Sequence, residues 1–284
     1  MLEYLSSPDI ILAIQTIANP VLDWFFMVVT FLGNEDFYIA VLPVIYWCVD
    51  KKFGIRLAIV FLASVYLNSL LKYIFVTERP DPSQVRVLYG ESGGGYAFPS
   101  GHSQGSVTFW GVIAWELKRT WFWALALFLV VAVGISRLYL GVHWPIDVLG
   151  GWLIGAVILG VYFLYDAKVD HSRSLLNIWG LIVLVIVIGA ALFLIHPPAG
   201  QIVGVFVGMS IGYLLEEKLV NFDPRSVWWY QILKVLVGLA VVFALRIFLK
   251  KLFPEAEIFN AIRYLIIGFW IALGVPMIFR GRKN

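Results

Sequence analysis

The sequence predicts an all-α, polytopic transmembrane bundle of about nine or ten spans, on three observations. Hydrophobic residues make up 61% of the 284 residues and charged residues 14%, whereas an ordinary soluble domain is about 45 to 50% apolar. The charges fall between apolar runs of roughly the 20 residues that a helix needs to cross a bilayer. Runs such as WALALFLVVAVGI are apolar on every face, which favours helices over the alternating strands of a membrane barrel.

The predicted spans follow one another along the chain. Residues 8–33 are apolar but interrupted by polar residues and Pro20, so they form either an imperfect span or an amphipathic segment at the interface. We expect a core of residues 1–168 with five or six spans and a region of residues 169–284 with four more. The clear spans are expected at about 36–50, 54–76, 101–117, 121–139, 145–165, 174–195, 200–216, 228–250 and 258–279.

The distribution of lysine and arginine predicts the orientation, because cytoplasmic loops carry these residues in excess. Alternate connections between spans are basic, and only Lys250 and Lys251 lie in the opposite set. The C-terminus is therefore expected in the cytoplasm, with both histidine-bearing connections outside, and the plasma (inner) membrane is the expected location. The basic residues on the expected cytoplasmic side are Lys51, Lys52, Arg56, Lys118, Arg119, Lys168, Arg173, Lys218, Arg225, Arg280, Arg282 and Lys283.

One predicted span carries a glycine at every fourth residue: Gly200, Gly204, Gly208 and Gly212. Such a stripe lets another helix approach closely. The stripe is compatible both with packing within the chain and with a homodimer through this face. No nucleic-acid partner is expected, because the net charge of +3 is small and scattered.

Ionisable residues near the outer ends of several spans form the candidate site. Charged groups inside a membrane are costly, so their positions are informative. Lys72, Arg79 and Arg137 supply three cations, and His102, His143 and Asp147 lie at the same predicted face. Because guanidinium groups match phosphoryl oxygens in pairs, this set predicts a binding site for a multiply charged phosphate.

The order of the residues suggests how such a site would work. A helix that begins at Ser100 would direct its free N–H groups at the phosphate, and Gly101 would allow close approach. Asp147 lies four residues after His143, so its carboxylate can bind one ring nitrogen and leave the other free to attack phosphorus. His102 can then protonate the leaving oxygen. Three nearby cations oppose a zinc ion, so no metal and no cofactor are expected.

Three motifs in order resemble the signature of the type 2 phosphatidic acid phosphatase superfamily. They are KYIFVTERP (72–80, with Lys72, Arg79 and Pro80), PSGH (99–102) and SRLYLGVHWPID (136–147). The resemblance implies a phosphohistidine intermediate on His143 supported by Asp147, with His102 as the acid and no metal required. It also implies phosphate binding by Lys72, Arg79, Ser100, Gly101, His102 and Arg137.

Family members act on lipid phosphates and pyrophosphates, so the resemblance implies a membrane lipid phosphate as substrate: phosphatidic acid, phosphatidylglycerol phosphate, a polyprenyl pyrophosphate or a sphingoid phosphate. Lipid phosphotransfer to an acceptor other than water, and a transporter or flippase built on the same core, are the alternatives. Transporters usually hold their polar residues near the midplane. The outer-end position of these residues therefore favours an enzyme.

Overall fold

The computed structural model describes residues 2–90, 95–168 and 177–280, and these residues form helices and loops without a strand. The predicted all-α class is confirmed. Arg173, Arg282 and Lys283, which contributed to the charge pattern, lie outside the described residues. The helices are α1 (Leu2–Leu5), α2 (Asp9–Gln15), α3 (Pro20–Phe31), α4 (Glu35–Cys48), α5 (Lys51–Phe75), α6 (Gly101–Leu117), α7 (Thr120–Tyr139), α8 (Pro145–Lys168), α9 (Ile178–Ile195), α10 (Gly200–Leu219), α11 (Trp228–Leu252), α12 (Glu257–Phe269) and α13 (Val275–Ile278).

Seven helical segments of the described chain are long and apolar enough to cross a membrane, so the chain is an integral membrane protein. They are α5, α7, α8, α9, α10 with its preceding 3₁₀ turn, α11, and α12 continued through a π-helical turn into α13. An eighth is added if α3 and α4, which meet at a bend of 48°, count as one span. Helix α6 has 17 residues and is about 26 Å long, which is shorter than the ~30 Å hydrocarbon core. The predicted nine or ten spans are therefore not confirmed.

The chain divides into two compact units. The first contains the described residues of Met1–Tyr38 and Ala63–Val169, and the second contains those of Ile39–Leu62 and Asp170–Asn284. Every residue of the predicted phosphate site belongs to the first unit, and the glycine stripe belongs to the second.

Close helix packing in the first unit brings the starts of α6 and α8 together. Gly151 and Gly155 of α8 face the first turns of α6. A Cβ atom on Gly151 would lie 2.6 Å from the carbonyl oxygen of Ser100, and one on Gly155 would lie 2.9 Å from that of Gln104. Because only glycine permits this approach, the residues that begin both helices, with PSGH on one side and His143 and Asp147 on the other, become neighbours.

The glycine stripe of the second unit packs against α12 of the same chain. A Cβ atom on Gly200 would lie 2.7 Å from the carbonyl oxygen of Glu257, and Gly204 and Gly208 face the backbone carbonyls of Ala261 and Leu265. The packing within the chain that the stripe allowed is therefore confirmed. A homodimer through Gly200, Gly204, Gly208 and Gly212 stays a prediction, and it would require α12 to move away from this face.

Candidate active site

His143 lies in the short turn between α7 and α8, and Asp147 lies in the first turn of α8. The Nδ1 atom of His143 is 3.1 Å from Oδ2 of Asp147, and the same oxygen accepts the backbone N–H of Trp144 at 2.8 Å. Both side chains are almost fully buried, with 2% and 1% of their surface exposed. The carboxylate is therefore fixed by a main-chain donor, and it fixes the imidazole in turn.

The tautomer of His143 follows from its second partner. Nη1 of Arg79 lies 3.1 Å from Nε2 of His143. A guanidinium can only donate hydrogen bonds, so Nε2 must accept here and carries no proton. The proton is then on Nδ1, where it is donated to Asp147. The lone pair of Nε2 consequently points toward the cationic side of the site.

Arg79 and Lys72 are held beside His143 by main-chain carbonyls. Arg79 donates from Nη1 to the carbonyl of Val142 at 2.6 Å and from Nε to that of Gly95 at 2.8 Å. Lys72, in the last turn of α5, donates to the carbonyls of Tyr96 and, at 3.2 Å, Ala97. Neutral carbonyls are weaker acceptors than a phosphate. Both cations can therefore exchange these partners for an anionic ligand.

The predicted start of a helix at Ser100 is confirmed, since Ser100 is the N-cap of α6 and its Oγ accepts from the backbone N–H of Ser103. The first N–H groups of an α-helix have no acceptor within it, so those of Gly101 and His102 are directed out of the helix. The N–H of Ser100 donates to the carbonyl of Asp147 at 2.9 Å. This bond joins the start of α6 to the His143 and Asp147 pair.

His102 lies in the first turn of α6 with its Nε2 atom buried. That atom has no hydrogen-bond partner among the residues that the structure describes. The side chain packs against Gly33, where a Cβ atom would lie 2.9 Å from Cδ2 of His102. His102 thus presents an unpaired ring nitrogen near the cations, as a group that transfers a proton to a ligand would require.

Arg137 completes the set of cations. It lies in the last turn of α7, is 0% exposed, and donates from Nη1 to Oγ1 of Thr30 at 2.5 Å. Thr30 is itself 0% exposed. The guanidinium is therefore held inside the first unit by a side chain 107 positions away in sequence.

The electrostatic environment favours a neutral His143. Burial lowers the pKa of His143 well below its ordinary value, and the charges of Arg137, Arg79 and Lys72 lower it further. Burial likewise lowers the pKa of Arg79, while the negative charge of Asp147 opposes that shift. The predicted site residues are thus close enough to influence one another, and the site carries an excess of positive charge.

A buried polar network supports the start of α6. Nδ2 of Asn68 donates to the carbonyl of Pro99 at 3.2 Å and to Oε1 of Gln104 at 2.9 Å. Nε2 of Gln104 donates to the carbonyl of Ser64 at 2.7 Å. Asn68 lies four residues before Lys72 and therefore on the same face of α5. The network fixes PSGH relative to the helix that carries Lys72.

The structure brings all the predicted site residues into the first unit and adds residues that the motifs did not indicate. Polar residues inside apolar spans are a known signal of function, and that signal could have identified Asn68 and Gln104. Thr30 and Gly33 gave no comparable signal. Their importance comes only from the folded position of α3.

Two family profiles match separate parts of the chain. The PAP2 superfamily profile matches residues 53–171, and the profile described as "PAP2 superfamily phosphatase, transmembrane extension" matches residues 200–283. Among curated proteins, a "Probable sphingosine-1-phosphate phosphatase" of Dictyostelium discoideum is 26% identical over 88% of this chain and 72% of its own length. An undecaprenyl-diphosphatase of Sulfolobus acidocaldarius is 37% identical over 37% of this chain and 52% of its own length.

Two comparisons concern Bacillus subtilis. Its phosphatidylglycerophosphatase B is 31% identical over 51% of this chain and 76% of its own length. The crystal structure of a transmembrane PAP2 type phosphatidylglycerolphosphate phosphatase from this organism superposes with a TM-score of 0.51, at 30% identity, over 58% of this chain and 86% of that one. Given these matches and the geometry of the three motifs, the chain belongs to the PAP2 superfamily and is an integral membrane phosphatase.

Proposed function

We propose that this enzyme hydrolyses the phosphate or pyrophosphate monoester of a membrane lipid through a phosphohistidine intermediate on His143. The observation that carries the proposal is the state of His143, whose Nδ1 is paired with Asp147 while its unprotonated Nε2 faces Arg79. The names of the similar proteins, which describe phosphatases of sphingosine 1-phosphate, undecaprenyl diphosphate and phosphatidylglycerophosphate, support a lipid substrate.

In the first step, the phosphate group replaces the carbonyl partners of Lys72 and Arg79 and is also bound by Arg137 and by the N–H groups at Gly101 and His102. Ser100 holds the start of this helix. Nε2 of His143 attacks phosphorus, the bond between phosphorus and the leaving oxygen breaks, and protonated His102 gives its proton to that oxygen. Asp147 stabilises the imidazolium that forms on His143.

In the second step, water attacks the phosphohistidine. His102 accepts a proton from the water, the bond between phosphorus and Nε2 breaks, and inorganic phosphate leaves. Negative charge on the bound phosphate favours the protonated state of His102 that the first step needs. An acceptor alcohol in place of water would give phosphotransfer by the same route, and the product distinguishes the two reactions.

The substrate would remain in the bilayer during the reaction. Lys72, His102, Arg137 and Asp147 lie in terminal turns of their helices, and in the topology proposed below these turns lie at the depth of lipid headgroups. A lipid can therefore keep its chains in the membrane while its phosphate enters the site.

We further propose nine crossings in the plasma (inner) membrane, with the active site outside and the C-terminus in the cytoplasm. The count adds α6 and the bent pair α3 and α4 to the seven apolar segments. With this count every basic connection except the one at Lys250 and Lys251 falls on the cytoplasmic side. Residues 1–168 would form the phosphatase core, and residues 169–284 would form an additional membrane region of four spans.

Phosphate release by the purified protein tests the function. A panel of lipid monophosphates and pyrophosphates, each paired with a short-chain soluble analogue, should show release of inorganic phosphate with a much higher kcat/KM for the long-chain form, since the apolar chain contributes binding energy. Equal or better efficiency on the soluble analogues would contradict a lipid substrate. A phosphorylated acceptor in place of inorganic phosphate would indicate transfer.

The His143→Asn variant tests the covalent step. It should abolish turnover and the acid-labile, alkali-stable phosphate label expected of a phosphohistidine, whereas His102→Ala should slow turnover by roughly 10² to 10⁴-fold. His171→Asn is the matched control, because His171 belongs to none of the three motifs. Turnover by His143→Asn at the wild-type rate would contradict the mechanism.

A further inference from the structure

Helix α3 contributes to the first unit although it precedes the residues that match the PAP2 profile, 53–171. Asn19 caps the helix by accepting from the N–H groups of Val21 and Leu22, and Pro20 occupies its first turn. The helix packs along α7. The three motifs contain no residue of α3. Its place beside α7 is therefore seen only in the folded chain.

Polar contacts fix α3 against the elements that carry the site. Tyr139 donates from Oη to Oδ1 of Asp23 at 2.6 Å, and Arg86 forms an ion pair with the same carboxylate. Before α3, the side chain of Gln15 donates to the carbonyls of Arg86 at 2.7 Å and Tyr139 at 2.9 Å. Tyr139 is two residues from Arg137, so these bonds hold α3 in register with the end of α7.

At the other end of α3, two residues reach the site itself. Thr30 accepts a hydrogen bond from Nη1 of Arg137 at 2.5 Å, and both residues are 0% exposed. Gly33 follows the helix and packs on His102, because a Cβ atom there would lie 2.9 Å from Cδ2 and 3.1 Å from Cβ of the histidine. One short segment thus touches a proposed phosphate ligand and the proposed acid.

We propose that the end of α3 positions these two groups: Thr30 orients the guanidinium of Arg137 toward the phosphate, and Gly33 leaves the space in which the imidazole of His102 stands. The inference rests on the roles given to Arg137 and His102 in the proposed function. The guanidinium is planar, so fixing Nη1 fixes the direction of its remaining N–H groups. Thr30 and Gly33 are positioning residues, since each acts through a neighbour.

The Thr30→Val variant keeps the shape of the side chain and removes the acceptor. We expect kcat/KM for the lipid substrate to fall roughly 10- to 100-fold, in line with the loss of a hydrogen bond to a charged group. Thr30→Ser keeps an acceptor and should stay within about threefold of the wild type. Thr16→Val is the matched control, because the exposed Thr16 hydroxyl donates only to the nearby carbonyl of Ala13 among the bonds described, and it should change nothing.

A double-mutant cycle separates positioning from a general loss of structure. If Thr30 acts through Arg137, Thr30→Val should cause no further loss in an Arg137→Gln background. Equal losses in both backgrounds, or wild-type activity of Thr30→Val, would overturn the assignment of Thr30. Thermal stabilisation by inorganic phosphate is measured in parallel and should weaken in Thr30→Val. If the wild type turns over no lipid but this difference remains, the proposed substrate fails while the inference on Thr30 stands.

The Gly33→Ala variant tests the second contact independently of Thr30. The added methyl group should displace His102 and slow protonation of the leaving oxygen. We expect a lower kcat on a lipid alkyl phosphate and a much smaller loss on an aryl phosphate whose leaving group needs no proton. Equal losses on the two substrates, or no loss on either, would overturn the role of Gly33.

Discussion

His143 is held between two groups of opposite charge. Asp147 binds the protonated Nδ1 at 3.1 Å, and Arg79 approaches the unprotonated Nε2 at 3.1 Å. A positive charge on this imidazole would be stabilised by the carboxylate but destabilised by burial and by Arg137, Arg79 and Lys72. Burial and the cations dominate, so His143 is neutral in the free enzyme and its Nε2 keeps the lone pair that the proposed attack on phosphorus needs.

The pH dependence of the reaction should show this effect. The lowered pKa of His143 means that the proton leaves the imidazole at a lower pH than usual, so the acidic limb of kcat/KM should lie well below the ordinary imidazole value of about 6.5. The profile of kcat/KM is the right measurement, because it reports groups of the free enzyme. An acidic limb at or above the ordinary value would contradict the proposed state of the nucleophile.

At the scale of elements, the second unit contains a buried ion pair between helix ends. Nζ of Lys51, the first residue of α5, lies 3.0 Å from Oε2 of Glu216 near the end of α10 and 2.8 Å from Oε1 of Glu217. Glu216 also accepts the backbone N–H of Phe222 at 2.5 Å. The carboxylate of Glu216 is fully buried while that of Glu217 is 35% exposed. The two glutamates contact the same lysine and differ in burial, so substituting each in turn tests the effect of burial on the ion pair.

We expect Glu216→Gln to destabilise the protein by about 3 kcal/mol, since it removes the fully buried carboxylate from Lys51 and leaves only the partly exposed carboxylate of Glu217 as an anionic partner. Glu217→Gln should cost at most about 1 kcal/mol, because a partly exposed pair is screened by water. Unfolding in detergent, followed by the melting temperature or by denaturant, measures both. Equal losses in the two variants would mean that burial does not govern this contact.

At the scale of the whole molecule, the proposed topology places the connection between α5 and α6 outside the cell and the one between α8 and α9 inside. A cysteine at Ser92 should therefore react with an impermeant thiol reagent on intact cells, and one at Ser172 should not, each in a Cys48→Ala background. Both positions lie outside the described residues. Lysed cells are the control, where both cysteines should react. The reverse labelling pattern would put the active site in the cytoplasm.

Local sequence determined the candidate site residues and most of the helices of this protein. The apolar runs predicted α5 to α12 close to their positions, because a bilayer-length apolar segment has few alternatives to a helix. The three motifs predicted the residues that the first unit brings together, since each motif fixes a residue next to the start or end of a helix. The count of nine or ten spans is not confirmed, because α6 has only 17 residues and α3 meets α4 at a bend of 48°.

Tertiary structure decided the contacts that join distant positions. Thr30 and Arg137 are 107 residues apart and Lys51 and Glu216 are 165 apart, and no local pattern indicates which pairs will meet. The glycine stripe predicted a close contact with another helix, but only the folded structure shows that this helix is α12. The sequence by itself thus specified the groups that we propose bind and cleave a phosphate ester. Packing determined how those groups are oriented, because each orientation depends on neighbours that come together only when the chain folds.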